Sequence, residues 1–233
     1  MYRSHNKELE QAIIERNARI ARKRYHKALY SRILKIVNSA ERVLDIGCGY
    51  GNVTALLGRS SGFAVGVDVR DVFGRSYLSS SVDFCCADAL KLPFPDNTFD
   101  CVVSLDVIEH IADHERFIRE AHRVLKRYGT FIMETPNRHR LSVRLLSLLH
   151  GGAPIFPKCY GKDPVLGPIV HVREYTKEEL LKLFLRCGFA QVDILGLWLG
   201  FVTPEVGIEN PPKSLERLGQ SWMVVTVKYK SCY

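Results

Sequence analysis

No C-x-x-C pair occurs among the seven cysteines of this 233-residue chain, which removes the common zinc-ribbon and thioredoxin-like readings. Cys85 and Cys86 are neighbours, whereas Cys48, Cys101, Cys159, Cys187 and Cys232 are scattered. An odd, unpatterned set reads as buried free thiols in a reducing compartment, not as a disulfide framework. Long apolar runs are also missing. The most nearly uncharged stretch, Val192–Pro204, is short and broken by glycine, so no bilayer-spanning helix is expected. The opening residues, MYRSHNKELE, lack the apolar centre of a secretion signal. A cytoplasmic location is the expectation, and the sequon at Asn52-Val53-Thr54 is then a chance match. Glycine and proline are absent from about Glu8 to Val37, where a basic helical leader of one or two helices is expected. With 46% hydrophobic and 25% charged residues, the composition excludes a disordered or fibrous chain.

The formal charge of +8 is unevenly placed. Residues 1–42 carry 11 basic and 4 acidic side chains, and the remainder is nearly neutral. The excess therefore belongs to the leader and does not by itself point to a polyanionic partner for the whole chain.

Beyond the leader, short apolar runs alternate with helical patterns. Strands are expected at Arg42–Ile46, Phe63–Val67, Val82–Cys86, Phe99–Leu105 and Thr130–Glu134. Between the last two, Phe117, Ile118, Ala121, Val124 and Leu125 recur at helical spacing, with Gly129 as the expected end of that unit. Such alternation implies a parallel sheet covered on both faces. After Pro136 a leucine-rich helix is expected over Arg138–His150, then a long Gly/Pro-rich loop over Gly151–His171 of the kind that forms lids. Thr176 to Glu179 makes a capping box for a helix ending at Gly188. Two late strands, about Ala190–Trp198 and Trp222–Lys230, complete the pattern.

The chemistry concentrates in Val43-Leu44-Asp45-Ile46-Gly47-Cys48-Gly49-Tyr50-Gly51-Asn52. A buried strand leads into three alternating glycines, and a helix begins near Gly51. Glycines let the backbone approach a ligand, and a helix N-terminus offers free N–H groups. The dinucleotide fingerprint is G-x-G-x-x-G, whereas here the glycines run G-x-G-x-G. Asp68 ends the second strand about 20 residues on, where a ribose diol can be gripped. Asp88 follows the third strand and suits an exocyclic adenine amine. Asp106 follows the fourth. Any one acid reads as a solvated strand end or helix cap, but four in order around a glycine loop read as a ligand rim.

These residues resemble the class I S-adenosylmethionine-dependent methyltransferases, in particular the type 11 group that includes ubiquinone-biosynthesis enzymes. VLDIGCGYG is similar to the family's first motif, and DALKLPFPDNTFDCVVSLDVIEHI and RVLKRYGTFIMETPN to its central motifs. Lys126-Arg127-Tyr128-Gly129 departs from the usual Lys-Pro-Gly-Gly, and His114 from a usual proline. The resemblance implies an α/β, Rossmann-like doubly wound sheet of seven mostly parallel strands, with the seventh antiparallel and the sixth outside it. It implies a single domain: leader 1–40, cofactor-binding core 41–137, lid and acceptor insertion 138–172, and C-terminal helix and strands 173–233. The implied cofactor is S-adenosyl-L-methionine, leaving as S-adenosyl-L-homocysteine. Asp45, Gly47, Cys48, Gly49 and Gly51 would surround its methionine part. Asp68 and Val69 would lie at the ribose, Asp88 and Ala89 at adenine, and Leu105 near the sulfonium.

The implied reaction moves a methyl group to a small-molecule, lipid or sugar acceptor, expected at oxygen. The competing readings are an RNA- or protein-modifying enzyme and a non-enzymatic cofactor-binding scaffold; no stable nucleic-acid partner is expected. His110 is the expected catalytic residue, with His171 a second candidate base. If its turn is helical, Asp106, Glu109 and His110 share one face. Ordering of the turn by hydrogen bonds, or a divalent cation held there, are the alternatives; no metal is assigned. His171, Arg173 and Tyr175 could touch the acceptor or simply pack the lid. Arg138, His139 and Arg140 could meet an acidic acceptor or form a solvated cap. Leu141, Leu145, Leu146, Leu148 and Leu149 could face a lipid-like acceptor or make transient membrane contact, or else pack on the core. Arg22, Lys23, Arg24, Lys27 and Tyr25 of the leader could border the cofactor cleft.

Overall fold

The computed structural model describes residues 23–150, 156–163, 167–200 and 207–229, together with residues 12, 15, 16 and 19. The first well-defined helix, α1 (Arg24–Val37), enters β1 (Arg42–Ile46), and the glycine turn leads to α2 (Asn52–Ser60). Then follow β2 (Phe63–Asp68), β3 (Val82–Cys86), β4 (Phe99–Leu105), α3 (His114–Val124) and β5 (Leu125–Pro136). The second half contributes α4 (Leu141–His150), β6 (Lys158–Asp163), β7 (Gly167–His171), α5 (Lys177–Arg186), β8 (Gln191–Leu197), β9 (Leu199–Gly200), β10 (Gly207–Ile208) and β11 (Ser221–Val227).

Seven strands form one sheet in the order β3-β2-β1-β4-β5-β11-β8. The first five pair in parallel. β11 inserts antiparallel between β5 and β8, so the sheet's last strand in sequence lies inside the one before it, β8, as expected. Alternation along each strand splits the core into two layers. Leu44, Ile46, Val102, Phe131 and Met133 meet α3 and α5 on one face. Val43, Cys101, Val103 and Ile132 meet Leu29, Ile33 and Val37 of α1 on the other. The basic leader is thus anchored by its apolar stripe, while the part before residue 23 lies almost wholly outside the described residues.

The sheet corrects three expectations. β5 is longer than Thr130–Glu134: it starts at Leu125 directly after α3, so Gly129 lies inside a strand and ends nothing. The backbone N–H of Tyr128 donates to Lys228 O at 2.7 Å, and that of Lys228 to Gly129 O at 3.0 Å. A partner a hundred residues away recruits this segment into the ladder. Second, 151–171 is not all loop, because β6 and β7 pair antiparallel. Its strands cover no core, so they lack the alternation that marks a half-buried strand. Third, the cysteines are not uniformly buried. Cys48, Cys101 and Cys187 are, but Cys86 and Cys159 are exposed, and the six described thiols are all free. Thr176 closes the expected capping box with Glu179, and Gly188 sits at φ +100° just past α5. Among the described residues no helix is long and apolar enough to cross a membrane.

Candidate active site

The three glycines after β1 all have positive φ: 75° at Gly47, 51° at Gly49 and 88° at Gly51. A Cβ on Gly47 would lie 2.2 Å from Val107 Cγ2, and one on Gly51 2.3 Å from Phe84 Cζ. Both are packed from behind. A Cβ on Gly49 would meet nothing within 4 Å. The turn therefore leaves open space against one backbone surface, the arrangement a closely approaching ligand needs. The N–H groups of Gly47 and Cys48 both donate to Val67 O, at 2.7 and 3.0 Å, tying the turn to β2.

Asp68 ends β2 beside that open space. Its Oδ2 accepts from Gly49 N at 3.0 Å and its Oδ1 from Arg70 N at 3.2 Å. Val69 next to it is 68% exposed. Asp88 accepts from Leu90 N at 2.8 Å and so orders its own turn, while the half-buried Ala89 packs against the core. Asp45 is 2% exposed and accepts from Thr54 Oγ1 at 2.7 Å. Burial, reinforced by the charge of Asp68, pushes its carboxyl up to about 7. Burial pushes the Cys48 thiol far up as well, which removes it as a nucleophile; it packs under the turn against the position of Gly66.

Leu105, half-buried, ends β4 opposite Glu134 of β5. The chain then reverses at Asp106, which is exposed and has φ +54°. Val107 wedges behind Gly47, and Ile108–His110 forms a single 3-10 turn. This turn is not α-helical, so Asp106 does not share the ladder expected for it with Glu109 and His110. Instead His171, at the end of β7, joins Glu109 and His110. Glu109 is fully buried. Its Oε2 accepts from Thr135 Oγ1 at 2.9 Å, and its backbone oxygen accepts from Val172 N at 2.8 Å. Burial, then the charge of Asp106, pushes its carboxyl well up. His110 Nδ1 lies 2.8 Å from Val170 O. A carbonyl can only accept, so the proton sits on Nδ1 and Nε2 keeps its lone pair. Burial lowers the affinity of this ring for a second proton.

Sequence reasoning missed two supports of this site. The first is Glu174, fully buried, which accepts from Tyr160 Oη at 2.8 Å and Arg140 at 2.5 Å and bonds His171 Nδ1 at 3.1 Å. These charged and hydroxyl partners overcome burial and hold its carboxyl at about 2. Arg140 is thus spent on Glu174 and Tyr160. Arg138 is engaged too, donating to Glu174 O and to Glu179, so the pair does not form a solvated cap. The second is Glu134, 2% exposed at the sheet rim, where Tyr25 Oη donates to its Oε1 at 2.6 Å and contacts Ser221 Oγ at 2.6 Å. Tyr25 thereby clips α1 onto the rim. The isolated acid in Phe131-Ile132-Met133-Glu134 was the available signal, since a carboxylate at the end of an apolar strand needs a partner. Arg24 lies over Trp198 and near Glu209, and Arg22 is outside the described residues. On α4, Leu148 and Leu149 are 82% and 79% exposed, so core packing does not account for them.

Residues 44–133 match the family model described as "Methyltransferase domain". The chain is 30% identical to the ubiquinone/menaquinone biosynthesis C-methyltransferase of Pseudomonas aeruginosa, over 74% of each chain. It belongs to the class I S-adenosylmethionine-dependent methyltransferases, type 11 group. A Mycobacterium tuberculosis protein named "Probable S-adenosylmethionine-dependent methyltransferase" is 32% identical over 76% of this chain. The chain spans only 58% of that relative's length. The fold matches a solved S-adenosylmethionine-dependent methyltransferase from Mesorhizobium loti with TM-score 0.60 at 18% identity, over 86% of this chain and 96% of the other. It also matches the [4+2]-cyclase SpnF, with TM-score 0.58 at 20% identity, over 86% of this chain and 81% of the other. The family's cofactor is S-adenosylmethionine, and the open surface at Gly49 beside the Asp68 carboxylate fits such a group.

Proposed function

We propose that this methyltransferase-family chain moves the methyl group of S-adenosylmethionine to an oxygen of a small-molecule, lipid or sugar acceptor. The supporting observation is adjacency. Val107 backs the glycine turn, and three residues later His110 presents an unprotonated Nε2 from the same segment. When bound, the cofactor supplies a methyl group already activated by its sulfonium. What remains for the protein is positioning and the exclusion of water. Gly47, Gly49 and Gly51 would shape the cradle, Asp68 and Val69 would border the ribose, and Asp88 and Ala89 the adenine. Asp45 and Cys48 would support the cradle from beneath, and Leu105 would close it. His110 activates the acceptor hydroxyl, since a neutral imidazole with a free lone pair can take up a hydroxyl proton. The name of the Pseudomonas relative, a quinone-pathway C-methyltransferase, supports a small acceptor over RNA or protein; the choice of oxygen over carbon rests on His110 alone. That a cyclase shares the fold is a reminder that fold does not fix reaction.

The test is incubation of the purified chain with methyl-labelled cofactor and fractionated small-molecule and lipid extracts, followed by mass identification of the labelled product. A labelled methyl ether or ester bears out the proposal. Label on carbon or nitrogen of the product refutes the transfer to oxygen, and label appearing only in RNA or protein, or no transfer although the cofactor binds, refutes the proposal whole.

A further inference from the structure

We infer that Glu109, His110 and His171 form a binding site for one divalent transition-metal ion, bridging the core turn after β4 and the β6–β7 ribbon. One ligand atom from each of these residues lies within 4.8 Å of the other two. Metal bonds of about 2.0–2.2 Å span donors up to about 4 Å apart, so side-chain movements of about an ångström or less would close the site.

Proximity alone would not carry this. Three further observations point the same way. First, Glu109 Oε1 is buried and has no hydrogen-bond partner among the described residues. A buried carboxylate oxygen left bare is costly, and a cation is the partner that best removes the cost. Second, each imidazole has one nitrogen, Nδ1, already engaged by a hydrogen-bond partner. His110 Nδ1 is engaged by the Val170 carbonyl at 2.8 Å and His171 Nδ1 by the Glu174 carboxylate at 3.1 Å. Metal-bound histidines almost always donate their other N–H to a carbonyl or carboxylate in this manner, which fixes the tautomer and leaves Nε2 free for the ion. Third, the rings meet edge to face with centroids 4.9 Å apart, and two free Nε2 atoms have no hydrogen bond to offer each other. A shared electrophile reconciles them.

The donor set selects the ion. Two imidazoles with one carboxylate suit zinc, iron(II) or cobalt(II), whereas magnesium and calcium prefer all-oxygen shells. Three protein ligands also leave coordination positions open for an exogenous oxygen. Asp106 is outside the set: it is exposed, and the donors that converge are those of Glu109, His110 and His171. The ribbon is tied to this cluster twice: Val170 O fixes His110, and His171 itself contributes a donor. Metal binding would therefore join lid and core. The binding claim stands on these residues alone. The role rests on the proposed function: an acceptor oxygen bound to the ion would lose its proton more readily, and His110 would act as ligand in place of base.

The full-length protein, stripped with chelator, is titrated with Co2+ and followed by visible ligand-field absorption, with circular dichroism as the check on folding. One Co2+ per chain is expected, displaced by Zn2+. His110→Ala and His171→Asn should each abolish the bands while the fold and cofactor binding survive, and Glu174→Gln should weaken binding about 10- to 100-fold. His114→Ala, in a separate surface pocket, should bind as the parent does. Absence of cobalt bands in the folded parent, or bands unchanged in both histidine variants, would overturn the site. If methyl transfer then persisted after chelation, the proposed function would stand with His110 as base. Cobalt binding as expected without any labelled product would overturn that function and leave the site.

Discussion

Alanine scanning of the glycine turn separates folding from binding, because the three glycines are open to different things. Gly49→Ala places a methyl group where nothing lies within 4 Å. Its folding cost is the left-handed backbone alone, roughly 1 kcal/mol at φ +51°. For a domain of this size that lowers the melting temperature by about 2–4 °C. In the proposed binding mode the same methyl group would enter the cofactor's space. An uncompensated intrusion costs about 1–3 kcal/mol, which is about a 5- to 150-fold weaker Kd. Gly51→Ala meets Phe84 Cζ at 2.3 Å, and that ring is stacked on Phe73 at 5.0 Å, so it has little room to yield. Strain and overpacking add to roughly 2–5 kcal/mol of lost stability. Thermal melts paired with calorimetric titration of S-adenosylmethionine read both quantities. Gly49→Ala should bind poorly while melting nearly as the parent does, and Gly51→Ala should melt far earlier. A Gly49→Ala protein with parental affinity would show that the cofactor does not approach this surface.

Two further outcomes follow from the buried acids. Asp45, raised from an ordinary carboxylate value to about 7, holds its proton more tightly folded than unfolded. The stabilisation this gives is complete below about pH 4 and lost as pH rises through 7. Asp45→Asn should therefore gain stability relative to the parent between pH 5 and 8, by up to about 4 kcal/mol in urea unfolding; a difference independent of pH would contradict the burial argument. Glu174→Gln should cost up to about 3–5 kcal/mol, because it strands an Arg140 side chain only 13% exposed. Limited proteolysis should then cut the 140–171 region faster than in the parent, and equal cutting rates would show that Glu174 does not hold this region.

Where local chemistry and sheet periodicity agree, the sequence was sufficient. The alternating glycines, the strand-terminal acids and the capping box at Thr176 each occupy the expected place, because each needs only its immediate neighbours. The strand order follows from the same signals once the family is known. Reading failed where a residue's state depends on a distant partner. Gly129 looked like a terminator and became strand interior through Lys228. The Asp106–Glu109–His110 face assumed an α-helix, and a positive φ at Asp106 replaced it with a reversal. Arg138 and Arg140 looked like a basic surface and are consumed by Glu174 and Glu179.

By itself, then, the sequence determined a glycine turn ringed by strand-end acids and the family that carries it, since backbone freedom at glycine and charge at strand ends are local properties. Only the tertiary structure decided that His110 faces His171, that Glu109 has a bare oxygen and that Tyr25 reaches Glu134 across 109 residues of chain. Those pairings follow from which strands neighbour one another and where the β6–β7 ribbon folds back. Spacing along the chain carries no record of either.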